Sequence, residues 1–313
     1  MTQPTDTSSS FSQSPELDMA YLQQLIRRQA EQSPLYENVA IIGCGYVGSS
    51  LADFWQQRGH SVTGTTTSAL RIPELKPMTS RVEVLAGNDL EALQSVVRDQ
   101  DTVVLSVAPT GVRAVDGNTY AQTYLETAKT LVKAVNQSSR VKQLIYLSSC
   151  SVYGDRQGDW VDESTSLVPC DDRSRVLQAT EEVLLQGTQC RTSILRLGGI
   201  YGPGRELVNM FAGLSGMTLP GKGDRFSNWI HLDDIVTGVE FARANQLQGI
   251  YNLVDDSQLT VRQLIELVCA RYSLPGVFWD ASQLNAPRRA SLRVSNQKIK
   301  DAGHSLIYPT IRL

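Results

Sequence analysis

The stretch VAIIGCGYVGSSLADFWQQRGH, residues 39–60, is an apolar strand-like run that ends in a glycine-spaced turn and passes at once into an amphipathic helical pattern. Gly43, Gly45 and Gly48 stand in the spacing GxGxxG. Each glycine has its own reason to be there. Gly43 permits the tight turn, Gly45 lets the backbone approach a pyrophosphate, and Gly48 lets helix and strand pack closely, while the helix N-terminus offers aligned N–H groups to the anion. The spacing alone recurs by chance in turns that bind nothing, so the strand before it and the helix after it carry the dinucleotide-binding reading. The contacts expected along this turn are Gly43, Cys44, Gly45, Tyr46, Val47 and Gly48.

The pattern that follows agrees. After the helix come HSVTGTT, VEVLAG, DTVVLSVA, a long helical segment near Tyr120 to Asn136, and VKQLIYLSS. Short β-rich runs alternating with amphipathic helices predict a doubly wound parallel sheet covered on both faces, an α/β fold of Rossmann type. SILRLGGIYG, Ser193 to Gly202, reads as one further buried strand, and IYNLV as another. Thr260 with Gln263 three residues on has the spacing of a capping box opening a helix. Residues 1–15 are polar and Ser/Thr-rich, which predicts disorder, and Leu17, Tyr21, Leu22, Leu25 and Ile26 fall on one face of a predicted helix over 16–32.

The second strand decides which dinucleotide fits. NAD-binding chains place an acid about 20 residues beyond the glycines to hold the ribose 2′-OH. Here Thr65, Thr66, Thr67 and Ser68 offer neutral hydroxyls, and Arg71 could pair with a 2′-phosphate. NADP is therefore expected, with NAD as the alternative; an exposed arginine after a β-rich strand end is the plainer reading of the same residues. Asn88, Asp89 and Leu90 follow the third strand, within reach of an adenine. Val107, Ala108 and Pro109 end the fourth, beside the pyrophosphate and ribose.

Composition removes several function classes. A formal net charge of −3 gives nucleic acid or an anionic membrane no general attraction to this surface. The five cysteines are scattered without a CxxC pair and only three histidines are present, so no metal site is expected and a reducing, cytoplasmic setting is. No apolar run approaches a membrane span, and the N-terminus lacks the basic and apolar blocks of a secretory signal. A small-molecule substrate is the expected partner, with a homodimer left open.

SSCSVYG (Ser148 to Gly154), LRLGGIYGPGR and WIHLDDI together resemble the extended short-chain dehydrogenase/reductase superfamily, of the NAD-dependent epimerase/dehydratase type. The likeness runs from about Val39 to the C-terminus. It implies an extension at 1–35, a Rossmann domain over 36–202 and a smaller α/β substrate domain over 203–313, with 229–253 returning to the Rossmann core. It also implies that Ser149 hydrogen-bonds a substrate oxygen, the alternative being a hydroxyl that closes a strand end.

That superfamily carries a YxxxK element, whose tyrosine moves the substrate proton and whose lysine lowers the tyrosine's pKa. The frame around it is present here as Glu163, Pro169 and Glu181, and within that frame the tyrosine and lysine positions hold Arg173 and Leu177. No lysine of the chain stands four residues after a tyrosine. The departure resembles the atypical extended short-chain dehydrogenases of bacteria. Arginine cannot lose a proton near neutrality, so Arg173 cannot act as the donor. Arg173 and Arg175 could orient an anionic substrate beside the nicotinamide, or could pair with Asp171 and Asp172. Sugar-nucleotide 4,6-dehydratases of the superfamily carry an Asp-Glu pair where Cys150 and Ser151 stand, which disfavours water elimination here. Tyr201 and Tyr153 are candidates for a displaced proton donor, although tyrosines in IYG and VYG more often pack between strand and helix.

On the substrate side, Arg205, Lys222, Arg225 and Asn228 fall in the expected substrate loop, and His231 reads as structural, ahead of a helix opened by Asp233 and Asp234. Residues 286–313 hold Arg288, Arg289, Arg293, Lys298, Lys300 and Arg312 against Asp301 alone, which suggests an anionic ligand or a solvated basic face. Two functions follow from these readings. One is an NADP-dependent oxidoreductase or epimerase acting on a polar, anionic small molecule such as a nucleotide sugar, with Ser149, Arg173 and Tyr201 at its site. The other is a non-catalytic NADP(H)-binding sensor or scaffold.

Overall fold

A computed structural model describes residues 36–109, 117–283 and 290–313. The helix expected over 16–32, together with Arg288 and Arg289, lies outside the described residues. Tyr36–Leu313 form one compact unit.

Its centre is a sheet of seven strands. In chain order these are β1 (Asn38–Ile42), β2 (Ser61–Thr66), β3 (Arg81–Val84), β4 (Thr102–Leu105), β5 (Gln143–Ser149), β6 (Arg191–Leu197) and, later in the chain, Gly249–Leu253. The spatial order is Gly249–Leu253, β6, β5, β4, β1, β2, β3, and every neighbouring pair is parallel. The order reverses direction between β1 and β4, where Ile42 lies level with Leu105. In an open α/β sheet that crevice at the carboxyl ends of the strands is where ligands bind.

Successive side chains of β1 serve two different cores. Val39 and Ile41 join Leu51, Ala52 and Trp55 of α1 (Tyr46–Gln57), with Ile235 and Val239 of the helix Leu232–Ala244. Ala40 and Ile42 face the other way, onto Leu93 and Val97 of α2 (Leu90–Val97) and onto Leu131 and Val135 further along. Burial on both faces explains why the strand reads as a continuous apolar run rather than an alternating one. Each fully buried Leu or Ile there contributes about 1.5–3 kcal/mol.

The segment expected as a long helix near Tyr120 is helical throughout, as α3: Gly117–Ala121, then a π turn Gln122–Glu126, then Thr127–Asn136. The helix after the family frame, α4, is Asp172–Gly187. The expected single strand Ser193–Gly202 is corrected by the structure. It breaks at Gly198 into β6 and a short β7 (Gly199–Tyr201), which leaves the main sheet to pair in parallel with Trp229–His231. A Cβ at Gly198 would meet the Asn228 carbonyl oxygen at 2.8 Å, so the break is where two backbones pass in contact. The capping box at Thr260 is present, opening the helix Val261–Arg271.

Asp234 is buried at the start of the helix Leu232–Ala244 and accepts from the amides of Ile307 (2.5 Å) and Tyr308 (3.1 Å), fixing the last described segment over the molecule. His304 in that segment is 2% exposed, and neither ring nitrogen has a hydrogen-bond partner. Burial lowers its pKa from 6.5 to about 4. The unfolded chain therefore takes up the proton first as pH falls, and stability is lost between about pH 6.5 and pH 4, by about 3 kcal/mol in all. Urea midpoints of wild type should fall relative to those of His304→Leu as pH drops from 6.5 to 4. Parallel pH profiles would remove His304 as the cause.

Candidate functional site

The glycine turn sits at the crevice between β1 and β4. Gly43 has φ +99°, and a Cβ there would meet the Ser106 carbonyl oxygen at 2.7 Å, so this glycine is required by both conformation and contact. A Cβ at Gly48 would meet the Gly43 carbonyl oxygen at 2.3 Å, which is the close approach of helix and strand. At Gly45 a Cβ would meet nothing within 4 Å. Gly45 is also the N-cap of α1 and offers no side chain to cap it. The first turn therefore presents its amides toward open space, the arrangement that suits a bound pyrophosphate.

Thr65 shapes the turn. Its hydroxyl accepts from the Gly43 amide (2.9 Å), and its carbonyl accepts from the Cys44 amide (2.8 Å). Cys44 points inward, where burial pushes its thiol up to about 12. Val47 is buried in the core. Thr66 accepts from the Ser68 amide (3.2 Å), and Thr67 is exposed beside it. Arg71 reaches back to the turn, donating to the Cys44 carbonyl oxygen and to Ser49 Oγ (3.3 Å). It is also paired with Glu74 at 2.6 Å. An acid therefore does stand near the expected ribose site, three residues beyond Arg71, a spacing already visible in RIPEL.

Asp89 caps α2 by accepting from the Ala92 amide (3.0 Å), which leaves Asn88 exposed in front of it and Leu90 half-buried. Val107 and Pro109 are half-buried and Ala108 exposed along the carboxyl end of β4. Opposite them, Tyr46 carries the guanidinium of Arg205 over its ring at 4.5 Å and donates to the Pro203 carbonyl oxygen (2.9 Å). The loop after β7 is thereby held against the mouth of the glycine turn.

Ser149 closes β5, half-buried, and accepts from the Ser151 amide (3.2 Å). Behind it, Ser148 donates to Glu181 (2.6 Å), and Glu181 forms a buried ion pair with Arg196 (2.6 Å). Glu181 of the family frame is therefore a structural partner, and so is Glu163, which accepts from the Asn252 amide (2.7 Å). Leu177 is 2% exposed and belongs to an apolar cluster with Cys150, Val152 and Tyr153. Asp171 caps α4, and Arg175 pairs with Asp172 at 2.6 Å, so Arg175 follows the pairing alternative. Arg173 is exposed and lies over the ring of Tyr120, 5.9 Å from its centroid.

Tyr201 does not fit a displaced proton donor. It is 2% exposed, packs with Leu207, Leu264 and Val268, and its hydroxyl accepts from the Arg312 amide (3.1 Å); burial holds its pKa above the ordinary range. Its place in β7 turns the ring inward. Tyr153 is likewise buried, donating to Asn252 (2.8 Å), with its pKa pushed up to about 12 by burial. His231 caps its helix by accepting from the Asp233 amide (3.1 Å). On the substrate side, Asn228 is committed to the backbone of Leu292 and Val294, and the Lys222 carbonyl oxygen accepts from Arg262.

Of the basic residues near the end of the chain, Arg293 stacks on Trp160 and Phe226, Lys298 donates to the Ile250 carbonyl oxygen, and Lys300 pairs with Asp256. These contacts are internal. A surface cavity of about 510 Å³ beside Glu163, Ser295 and Lys298 includes none of the glycine-turn residues. Among the described residues, no cluster of His, Cys, Asp and Glu is placed to hold a metal, and no helix is long and apolar enough to cross a membrane.

A parallel sheet in this order, with a glycine turn at its switch point and Ser149 at the end of β5, defines an NAD(P)-binding α/β protein of Rossmann type. Residues 39–253 match the NAD dependent epimerase/dehydratase family, and the chain belongs to that family. It is 34% identical over 228 residues to Protein YeeZ of Escherichia coli (strain K12), an alignment covering 69% of this chain and 77% of that one. Among solved structures it resembles human epimerase family protein SDR39U1 with NADPH (TM-score 0.71, 20% identity, 87% of this chain and 96% of that one). It also resembles the UDP-glucuronic acid 4-epimerase of Bacillus cereus in complex with NAD (TM-score 0.69, 18% identity, 88% and 92%).

Proposed function

We propose that this protein is an NADP-dependent oxidoreductase or epimerase acting on a polar, anionic small molecule such as a nucleotide sugar. The observation that carries this reading is the open space at Gly45 in front of the uncapped amides of α1, at the switch point of the sheet. The dinucleotide, when bound, supplies a hydride or accepts one at carbon. The amides of Tyr46, Val47 and Gly48 would hold its pyrophosphate. Thr66, Thr67 and Arg71 would face the adenosine ribose, Asn88, Asp89 and Leu90 the adenine, and Val107 and Ala108 the pyrophosphate and ribose from the side of β4. Ser149 would donate to a substrate oxygen, and Arg173 places positive charge at the same end of the sheet for an anionic substrate. The Bacillus cereus neighbour is named for UDP-glucuronic acid, a substrate of that chemistry.

NADPH is expected to bind roughly tenfold more tightly than NADH, about 1.5 kcal/mol, the worth of one charge-assisted hydrogen bond. Arg71 would make that bond by turning from Glu74 to the 2′-phosphate. Titration by protein fluorescence decides the point, and equal or tighter NADH binding would overturn the NADP assignment. Incubation with NADP(H) and a panel of UDP- and dTDP-linked sugars tests turnover. The buried Leu177 in the lysine position favours one alternative, a protein that binds NADP(H) without chemistry and signals its occupancy to a partner. Tight binding with no turnover of any panel member would support that alternative. A cytoplasmic location, and partners other than nucleic acid or membrane, belong to either reading.

A further inference from the structure

We propose that Tyr120, on α3, is the proton donor of this site, taking from a different helix the role that the missing tyrosine of α4 would have had. The inference rests on the oxidoreductase reading above and adds a residue that the sequence patterns do not mark.

Three observations place it there. Tyr120 packs against the apolar cluster that includes Cys150, the residue after Ser149, and Leu177, the residue in the lysine position. The guanidinium of Arg173, in the tyrosine position, lies over its ring at 5.9 Å, within the range of a cation–π contact. Tyr120 therefore lies under Arg173, in the tyrosine position, and against the cluster to which Leu177 and Cys150 belong. It is also only half-buried, unlike Tyr153 and Tyr201. The π turn that begins two residues later, at Gln122, is a departure from regular helix of the kind frequent at functional sites.

The groups around Tyr120 suit proton transfer. Its ring lies 4.6 Å from that of Tyr124. Burial raises the Tyr120 pKa; the neighbouring Tyr124 hydroxyl and the charge of Arg173 pull it back, while Asp171 opposes them. Tyr146 and Glu181 stand deeper; the Tyr146 hydroxyl is fully buried without a hydrogen-bond partner, and its pKa is raised well above the ordinary value, chiefly by burial. Arg173 thus exerts on Tyr120 the charge effect that a lysine exerts on the usual tyrosine. In the step itself a substrate carbonyl carbon receives the hydride carried by the reduced dinucleotide. The C=O π bond opens, and its oxygen takes the Tyr120 proton, giving an alcohol, an oxidised dinucleotide and a phenolate that regains its proton from solvent. Alcohol oxidation runs the same step in reverse.

The test does not depend on finding the substrate. Tyrosinate formation is followed by ultraviolet difference absorbance in wild type and Tyr120→Phe, with saturating NADP⁺ and then with NADPH; the difference between the two proteins isolates the Tyr120 step. That step should lie about one pH unit or more lower with NADP⁺, because the oxidised nicotinamide adds positive charge beside the hydroxyl. Arg173→Ala should move it upward. Tyr120→Phe should bind both dinucleotides as wild type does, and on any panel sugar that wild type turns over it should lower kcat by about 10²–10⁴-fold. A step unmoved by the oxidation state of a bound dinucleotide, or turnover by Tyr120→Phe equal to wild type, overturns the assignment and leaves the oxidoreductase reading standing. Failure of wild type to bind either dinucleotide removes both.

Discussion

Gly45→Val is expected to lower dinucleotide affinity by more than roughly 100-fold, about 2.7 kcal/mol, while leaving the unfolding midpoint close to that of wild type. The two halves of this expectation have separate origins. The Gly45 backbone, at φ −78° and ψ −152°, lies in extended territory open to any residue, and an added Cβ meets nothing within 4 Å, so the fold has no objection to a side chain. The space the valine would fill is the space a pyrophosphate needs against the amides of α1. Gly48→Ala is the control that separates ligand from packing. Its methyl would sit 2.3 Å from the Gly43 carbonyl oxygen, a contact only backbone movement can relieve, so it should lower stability as well as binding. Calorimetry with NADPH and thermal unfolding on the same preparations read both quantities. Undiminished affinity in a folded Gly45→Val protein would remove the pyrophosphate from this turn.

Restoring the lost pair with Arg173→Tyr and Leu177→Lys is expected to cost about 3–5 kcal/mol of stability rather than to recover chemistry, the range seen when a charge is buried unpaired. Spacing alone makes the double variant attractive, since both residues would fall on one helical face four apart. The environment argues otherwise. Leu177 is 2% exposed among Cys150, Val152 and Tyr153, and Arg196 already lies over the Tyr153 ring at 4.8 Å, so a lysine would bring a second cation into an apolar cluster without an acid to receive it. Of the carboxylates close by, Glu181 is committed to Arg196 and Ser148, and Glu163 to the Asn252 amide. Denaturant unfolding of Arg173→Tyr, Leu177→Lys and the double variant locates the cost. A stable double variant with new carbonyl reduction would mean that this helix kept the family geometry after all.

The parts of this molecule that were legible in the sequence are those specified by local pattern. β1, the glycine turn and α1 follow from one continuous stretch, and the parallel sheet covered on both faces follows from the alternation of apolar runs with helices. What could not be read depends on contacts between distant residues. Nothing in SILRLGGIYG marks the break at Gly198, because its cause is the passing backbone at Asn228. Nothing in GNTYAQTY or GGIYG tells the two tyrosines apart as ligand-facing or packed; only the fold turns Tyr201 inward and leaves Tyr120 half-exposed beside Arg173. The family frame located Arg173 and Leu177, but that Leu177 is sealed emerges from packing with residues as far off as Val294. The Arg71–Glu74 pair was the missed feature most open to sequence reasoning, being a simple i,i+3 spacing.

The clasp at Asp234 bears on how this molecule can change over time. Residues 307–312 are held through their amides: those of Ile307 and Tyr308 by Asp234, that of Ile311 by Ser257, and that of Arg312 by Tyr201. A segment gripped by its backbone is recognised by its path more than by its side chains. The spelling of this strip can therefore drift where its side chains are exposed, as at Thr310 and Arg312, provided proline stays out of the positions whose amides are used. The receiving side has no such latitude, since Asp234, Ser257 and Tyr201 each supply the particular oxygen to which the strip is tied.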